Sequence, residues 1–180
     1  DFVFDSNGNE VEYIQKYWDA GSSVPSSTSK QVSIFDSSNN EVEQISFSWD
    51  ASNNSWTNFL RWEHEYDSAS NNTYVINFGW NRIDSVWFKK SQAYYSHDAS
   101  GNRIYSLTQD WDYKTTDWVN RTRLYYTYMN IDEHLTRAME RWDKDDSTWR
   151  NQEESVTEYD ANGWRVAYNN YNTWDKVDYV

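Results

Sequence analysis

Tryptophan and aspartate recur together in this chain, and their spacing is suited to sugar binding. If equivalent rings stand two β-strands apart, they are separated by roughly 9–10 Å, and such a ladder can stack against successive sugars of a polysaccharide. Neighbouring carboxylates and amides would then take the sugar hydroxyls. The competing interpretation, favoured for any single ring, is that the tryptophans are buried and hold a sheet together. The candidate ligand-binding residues are Trp49, Trp80, Trp111, Trp142, Asp50 and Asp112.

Oxygen-bearing side chains at alternate positions raise the question of calcium. Asp5, Asn7 and Asn9 occupy positions one, three and five of a loop, as ligands of calcium loops do. The bidentate glutamate expected at position twelve is missing, because Lys16 stands there. The same residues are typical of a tight turn in which Asp bonds its own backbone, and we favour the turn. The three histidines show no zinc spacing, and we expect no cofactor.

Carboxylate pairs for acid and base catalysis are plentiful, because the chain has 29 Asp and Glu residues. A glycosidase needs two carboxylates in a unique arrangement, whereas the acids of this chain recur regularly. No Gly-x-Ser-x-Gly motif, Walker loop or dinucleotide fingerprint occurs. The sequence therefore favours a protein that is not an enzyme.

A period of 31 residues organises these side chains. Aspartate after an aromatic residue marks five of the units, and Met129 takes that position in another. Thirteen residues after the marker comes a first tryptophan, and a second follows seven residues later, as Trp56 follows Trp49. We interpret residues 1–180 as a single array of about six repeats. The units start near Asp5, Asp36, Asp67, Asp98, Met129 and Asp160.

Each repeat has the pattern of a two-stranded β-hairpin. The segment Asp5-Ser6-Asn7-Gly8-Asn9 has turn chemistry. Downstream, apolar residues alternate with polar ones, as at Ile45, Phe47 and Trp49, which predicts a strand. Val42 lies out of phase with that set and predicts a β-bulge. The two tryptophans of a unit are expected to face each other at the opposite end of the hairpin.

Consecutive hairpins predict an all-β fold, an extended and coiled antiparallel meander of up to twelve strands that is solenoid-like. Residues 132–142 have a helical composition, but they lie in register with the strands of the other units, so we assign them to a strand. The scarcity of aliphatic residues disfavours a filled barrel. Pro25 replaces the second tryptophan of the first unit, as in a capping repeat. Because the chain begins at Asp1 within a repeat, we expect it to be part of a longer protein.

The composition is acidic and aromatic. The formal net charge is −13, with 12 Trp and 15 Tyr, and the pI is about 4.5. High charge with few aliphatic residues is typical of disorder, but the aromatic side chains supply the apolar area for a core. An acidic surface repels phosphates, so neither nucleic acid nor an anionic membrane is an expected partner. The chain has no cysteine and no apolar run that predicts membrane insertion.

The repeat resembles a known family of surface proteins. The order Tyr/Phe-Asp-x-x-Gly-Asn, Trp-Asp, then Trp and an aromatic-rich strand is similar to tandem repeats of large secreted or cell-surface proteins of Bacteroidota. The similarity covers essentially the whole chain, although Met129-Asn130-Ile131-Asp132 departs from the turn motif. It implies an extracellular, β-rich array exported by type IX secretion. The chain is also distantly similar to YD repeats of Rhs-type proteins.

The same resemblance implies covalent modification. Three Asp-Ser pairs, each followed by Ala, Val or Thr, are similar to the O-glycosylation motif of that phylum. The resemblance therefore implies glycosylation of Ser68, Ser85 and Ser147.

Two functions of different class are consistent with this sequence. The first is a non-enzymatic extracellular module for adhesion or carbohydrate binding through aromatic ladders, with a polysaccharide or another surface protein as partner. The second is a structural stalk, spacer or self-assembling filament subunit, because open sheet edges can pair with another chain. Solvent-exposed tryptophans would favour the first function, and association through sheet edges would favour the second.

Overall fold

The described part of the chain contains β-strands and no helix. The computed structural model describes residues 1–18, 20–21, 27–128, 134–160, 162 and 164–172. Twelve strands form one sheet whose order follows the chain without a crossover. The sheet is antiparallel and is not closed into a barrel. The predicted all-β antiparallel meander is therefore confirmed.

The strands follow one another at short intervals along the chain. They are β1 (Phe2–Phe4), β2 (Glu10–Tyr17), β3 (Ser27–Phe35), β4 (Glu41–Asp50), β5 (Ser55–Tyr66), β6 (Asn72–Asn81), β7 (Val86–His97), β8 (Arg103–Asp112), β9 (Asp117–Tyr128), β10 (His134–Asp143), β11 (Thr148–Tyr159) and β12 (Arg165–Asn172). Strand β10 covers most of the segment with a helical composition, so its assignment to a strand is confirmed. Pairing with β9 on one side and β11 on the other satisfies its backbone groups, and this outweighs local propensity.

The chain divides into two compact units, residues 1–91 and 92–180. The first contains β1 to β6 and the beginning of β7, and the second contains the remaining strands. The departures from the repeat at Pro25 and at Met129-Asn130-Ile131-Asp132 lie outside the described residues. The described segments include no helix with the length and hydropathy of a membrane span.

The aspartate that starts a repeat closes a tight turn with its side chain. Asp36 Oδ1 accepts hydrogen bonds from the backbone N–H groups of Ser38 and Asn40 at 2.8 and 2.9 Å. Its Oδ2 accepts a further bond from the Asn40 side chain at 3.0 Å. Asn39 has a φ of 63°, a left-handed conformation that Gly8 provides with less strain in the first repeat. The same side-chain bonds recur at Asp5, Asp67 and Asp98.

The strand that follows each aspartate turn contains the predicted β-bulge. In β4, Glu43 pairs with Ile34 and Glu41 pairs with Phe35, so Val42 is the extra residue. A bulge shifts the alternation of side chains by one position, which explains why Val42 is out of phase. Equivalent shifts leave one extra residue in β2, β6 and β12, namely Val11, Thr73 and Val166.

A second bulge lies in the return strands, and the sequence did not predict it. In β5, Leu60 pairs with Ser46 and Asn58 pairs with Phe47, which leaves Phe59 as the extra residue. Trp62 therefore lies on the opposite face from Trp56, although their spacing would give one face in a regular strand. The equivalent extra residues in β9 and β11 are Arg121 and Gln152.

The sheet face that carries the tryptophan pairs is called the Trp face in each unit. Most of its aromatic side chains are partly covered rather than buried. Among the described apolar side chains, Ile76 and Ala93 are the buried ones, at 8% and 7% exposure. Aromatic surface therefore remains accessible on both units.

The Trp face of the first unit includes Ile45, Phe47, Trp49 and Trp56. That of the second includes Trp111, Trp118, Asn120, Arg123, Tyr125, Ala138, Glu140, Trp142, Asn151 and Glu154.

Candidate functional site

Within the described residues, four tryptophan pairs close the turns opposite the aspartate turns. The Trp111 and Trp118 rings have centroids 5.0 Å apart and planes at 75°, an edge-to-face arrangement. The other pairs have centroid separations of 4.9–5.2 Å and angles of 65–73°. The predicted facing of the two tryptophans is confirmed, and each pair contributes about 0.5–1.5 kcal/mol beyond its area burial. These other pairs are Trp49–Trp56, Trp80–Trp87 and Trp142–Trp149.

The tryptophans predicted to contact a ligand are neither buried nor fully exposed. Trp49 is 39% exposed, and Trp80, Trp111 and Trp142 are half-buried. Each ring packs against its partner and still presents part of its surface to solvent. The structural and the ligand-binding interpretations of these residues are therefore compatible.

The two aspartates predicted to contact a ligand take part in the tryptophan turns. Asp50 Oδ1 accepts hydrogen bonds from the backbone N–H groups of Ser52 and Asn53 at 3.0 and 3.3 Å, and its Oδ2 accepts one from the Asn53 side chain at 2.9 Å. The hydrogen bond from the Asn53 side chain has the largest effect in lowering the pKa of Asp50, and the backbone bonds lower it further. Asp112 Oδ1 accepts a bond from the backbone N–H of Lys114 at 2.8 Å. Holding the turn is therefore the structural role of both carboxylates.

A groove of about 360 Å³ lies beside the tryptophan turns of the second unit. Trp118 of β9 and Trp142 of β10 line it, together with Asn120, Asp112 and Lys144. Trp118 belongs to one tryptophan pair and Trp142 to the next, so the groove separates adjacent pairs. It brings together two of the predicted residues, Trp142 and Asp112. The predicted residues Trp49, Trp80 and Asp50 belong to the first unit, and Trp111 reaches this site as the partner of Trp118.

The groove combines apolar surface with hydrogen-bonding groups. Gln92 Nε2 donates to Gln109 Oε1 at 2.7 Å, and Gln109 Nε2 donates to Asn120 Oδ1 at 2.9 Å. This chain of amides orients Asn120, whose nitrogen has no hydrogen-bond acceptor among the described residues. Lys144 likewise forms no ion pair within the described part of the chain. Two indole rings, an amide donor, an ammonium and a carboxylate therefore surround one concave space.

Sequence reasoning missed three residues of the groove, Trp118, Asn120 and Lys144. Trp118 stands in the second tryptophan column, which was interpreted only as a structural partner of the first. Asn120 has equivalents at Asn151, one repeat away, and at Asn58, two repeats away, and this recurrence was an available signal. Lys144 stands at a variable position of the repeat, with Ala51, Arg82 and Tyr113 as its equivalents, so only the structure places it in the groove.

The serines implied as glycosylation sites are all exposed turn residues. Ser68 lies in an aspartate turn, whereas Ser85 and Ser147 lie in tryptophan turns with left-handed φ values of 53° and 56°. Ser147 also lines the groove. Their modification stays a prediction.

The aspartate turns use their carboxylate oxygens internally. Asp5 accepts bonds from two backbone N–H groups and from the Asn9 side chain, at 2.8 to 2.9 Å. The hydrogen bond from the Asn9 side chain has the largest effect in lowering the pKa of Asp5, and the backbone bonds lower it further. Across the described residues, no three His, Cys, Asp or Glu side chains are grouped as metal ligands would be. The hydrogen bonds are those of the turn that the sequence favoured over a calcium loop.

Comparison with known proteins yields structural neighbours only. No protein-family model matches the chain, and no curated protein matches it. A protein of unknown function from Bacteroides fragilis NCTC 9343 is similar in structure, with a TM-score of 0.63 and 13% sequence identity over 73% of this chain and 94% of that chain. This likeness shows a shared fold.

Two DUF3836 family proteins are also matched, over about half of this chain. The protein from Bacteroides vulgatus ATCC 8482 has a TM-score of 0.45 and 18% identity, covering 51% of this chain and 89% of that chain. The protein from Parabacteroides distasonis ATCC 8503 has a TM-score of 0.44 and 13% identity, covering 54% and 87% respectively. All three neighbours come from Bacteroidales.

Proposed function

We propose that this protein is a non-enzymatic, extracellular repeat module that binds carbohydrate through its Trp face and acts in adhesion. The observation that carries the proposal is the groove between Trp118 and Trp142, which is lined by rings from two adjacent tryptophan pairs. Indole rings offer flat apolar surface to the C–H faces of a sugar, and the groups around them are those that bind hydroxyls. Trp49, Trp80 and Asp50 present the same residue types on the Trp face of the first unit.

Rigidity of the rings supports a binding role. Trp142 is held by an edge-to-face contact with Trp149 at 5.1 Å, and Trp118 is held in the same way by Trp111. Because the partners fix these rings before a ligand arrives, little side-chain entropy is lost on binding. Tryptophan is also enriched among the residues that dominate binding energies.

An enzymatic role has less support than binding. The repeated carboxylates Asp36 and Asp50 are engaged by backbone and side-chain N–H groups of their own turns. A catalytic pair would require two carboxylates that are free to exchange protons or attack a substrate. The proposal therefore assigns these acids to the turns.

Glycan binding by the whole chain tests the proposal. The chain is applied to an array of neutral, amino-bearing and acidic oligosaccharides, and the best ligand is titrated by calorimetry. Trp142→Ala is expected to weaken binding at least about tenfold, since it removes one wall of the groove. The matched control is Trp62→Ala, which removes a ring that lies in the first unit and off its Trp face, and it should leave the affinity unchanged. Absence of any glycan signal, or equal effects of both substitutions, would contradict the proposal.

A second candidate function, self-assembly through sheet edges, is favoured by β1. Phe2, Val3 and Phe4 of β1 are 59%, 50% and 58% exposed, and β1 pairs with β2 within residues 1–180. Exposed apolar side chains on a strand favour its pairing with a strand of another chain. Sedimentation velocity over a range of concentrations tests this function, with Val3→Lys as the variant expected to abolish association. A chain that stays monomeric at all concentrations would exclude self-assembly.

A further inference from the structure

Ala138 interrupts an aliphatic column on the Trp face. The repeat places Ile45, Ile76, Leu107 and Ala138 at equivalent positions, 31 residues apart. Only the last of the four lacks a branched side chain. A depression of about 390 Å³ lies over it, within the second unit. The small side chain therefore opens a concavity where the preceding repeats have aliphatic bulk.

The wall of this depression is held rigidly by Arg123. Its Nε atom is ion-paired with Glu140, and the two side chains are 27% and 17% exposed. The guanidinium also lies 5.6 Å from the centroid of the Tyr125 ring and 4.5 Å from that of the Trp149 ring. Because Arg123 is engaged on three sides, its charge is compensated and its position is fixed.

The rim of the depression has polar groups that are not engaged. Asn151 and Glu154 line it, and neither side chain has a hydrogen-bond or ion-pair partner among the described residues. Glu153, which also lines the depression, is ion-paired with Arg137 at 2.9 Å. Glu154 therefore contributes a carboxylate without an ion-pair partner among the described residues, and Tyr125 lines the same depression.

The depression and the groove lie along the same strands of the Trp face. Asn120 lines the groove and Tyr125 lines the depression, and both belong to β9. The bulge at Arg121 lies between them, so their separation matches the four residues from Tyr105 to Gln109 on β8, roughly 13 Å along a strand. A ligand that occupies both concavities would therefore run parallel to β9 and β10, rather than across the strands as a ladder of equivalent tryptophans implies.

We propose that the depression over Ala138 is a second sugar subsite, which takes a sugar with a protonated amino group. The proposal rests on the proposed function, because the groove would hold the neighbouring sugars of the same oligosaccharide. The free carboxylate of Glu154 pairs with the ammonium, Asn151 binds a hydroxyl, and Tyr125 provides apolar contact. The net charge of −13 favours a cationic ligand over an acidic polysaccharide at long range.

Two oligosaccharide probes that differ only at the nitrogen test the subsite. Glucosamine oligomers carry a protonated amine, and N-acetylglucosamine oligomers of the same length carry a neutral amide. The chain is expected to bind the glucosamine oligomer about tenfold more tightly at low salt, and added salt should reduce that preference. Glu154→Gln is expected to abolish the preference, so that the two oligomers bind with similar affinities.

A larger side chain that fills the depression provides a second test. Ala138→Leu restores the residue that the preceding repeat has at this position, so the sheet should tolerate it, and thermal unfolding verifies this. It is expected to weaken binding of the glucosamine oligomer at least about tenfold. Thr127→Leu adds similar bulk to an exposed position of β9 outside the depression and should leave binding unchanged.

The outcomes separate the two proposals. If neither oligomer nor any other glycan binds, both the proposed function and the subsite are overturned. If glycans bind and Trp142→Ala weakens binding, but the two oligomers bind equally and Ala138→Leu has no effect, the subsite alone is overturned. Selective loss of the glucosamine oligomer in Ala138→Leu and Glu154→Gln supports both.

Discussion

Trp111 and Trp118 stand directly opposite each other on β8 and β9, with their ring centroids 5.0 Å apart. Their planes meet at 75°, so the edge of one ring approaches the face of the other. In this geometry the positive edge of one π-system meets the negative face of its partner. The same contact recurs at Trp49–Trp56, Trp80–Trp87 and Trp142–Trp149, so each unit has two tryptophan turns closed by paired rings.

The coupling between paired tryptophans can be measured directly. Trp111→Ala and Trp118→Ala, made singly and together, should show a favourable coupling of about 0.5–1.5 kcal/mol in the free energy of unfolding by urea. The comparison cycle combines Trp111→Ala with Trp62→Ala, two residues in different units. That cycle should be additive. Additivity of the Trp111 and Trp118 substitutions would show that the facing rings do not stabilise the turn.

The ring of Phe88 leaves no room for a side chain at Gly79. A Cβ atom at position 79 would fall 2.7 Å from Phe88 Cε2. Gly79→Ala should therefore destabilise the protein by about 1–3 kcal/mol through overpacking. In a Phe88→Ala background the same substitution should cost much less, since the obstructing ring is gone. Equal costs in the two backgrounds, measured by urea denaturation, would show that the ring is not the obstacle.

Thr116 adopts an unfavourable backbone conformation in the turn between β8 and β9. Its φ is 54°, in the left-handed region where a β-branched residue is strained. Thr116→Gly should raise the free energy of unfolding by about 1 kcal/mol, because glycine adopts this conformation without a Cβ penalty. Thr115→Gly, at the preceding turn residue without a positive φ, should not stabilise the protein. A lower free energy of unfolding for Thr116→Gly would show that the backbone at Thr116 is not strained.

The aspartate turns should make the stability of the folded protein sensitive to acid. Hydrogen bonds from the backbone N–H and then the side chain of Asn40 hold the pKa of Asp36 below its ordinary value of 3.8. The same direction of shift applies to the pKa values of Asp5 and Asp98. Because the folded pKa is the lower one, the stabilising contribution is present above pH 3.8 and is lost as the pH falls through the folded pKa.

Thermal unfolding as a function of pH checks this sign. The unfolding midpoint of the natural sequence should fall as the pH is lowered below about 4. Asp36→Asn, which cannot ionise, should be less stable near neutral pH and should lose less stability on acidification. An unfolding midpoint that rises on acidification would contradict the assignment.

Features that recur in every repeat could be predicted from the sequence. The aspartate turns, the early bulge at Val42 and the facing of Trp49 with Trp56 all follow from columns of equivalent residues. The bulge at Phe59 coincides with a break in the alternation, because Asn58 is polar and the adjacent Phe59 and Leu60 are both apolar. It was not predicted because the extra residues at equivalent positions of other units, Arg121 and Gln152, are polar, so the break does not recur as a column.

The candidate site was only partly predictable, because it depends on differences between repeats. Trp142 and Asp112 were identified from their columns, but the groove exists only because Trp118 and Trp142 come from adjacent pairs in neighbouring strands. Ala138 departs from its column and Lys144 stands in a column without a common residue type, and a search for what recurs passes over such residues. A column-by-column search for exceptions would have found Ala138 among Ile45, Ile76 and Leu107.

Chemical-shift changes at the tryptophan indole N–H groups test the central claim most directly. The whole chain, labelled with ¹⁵N and with its indole signals assigned by substitution, is titrated with the oligosaccharide that binds best on the array. Binding at the groove predicts that the signals of Trp118 and Trp142 shift together and saturably, while the signal of Trp62, which is off the Trp face of the first unit, stays in place. Unchanged signals of Trp118 and Trp142, or an equal shift of the Trp62 signal, would contradict the account.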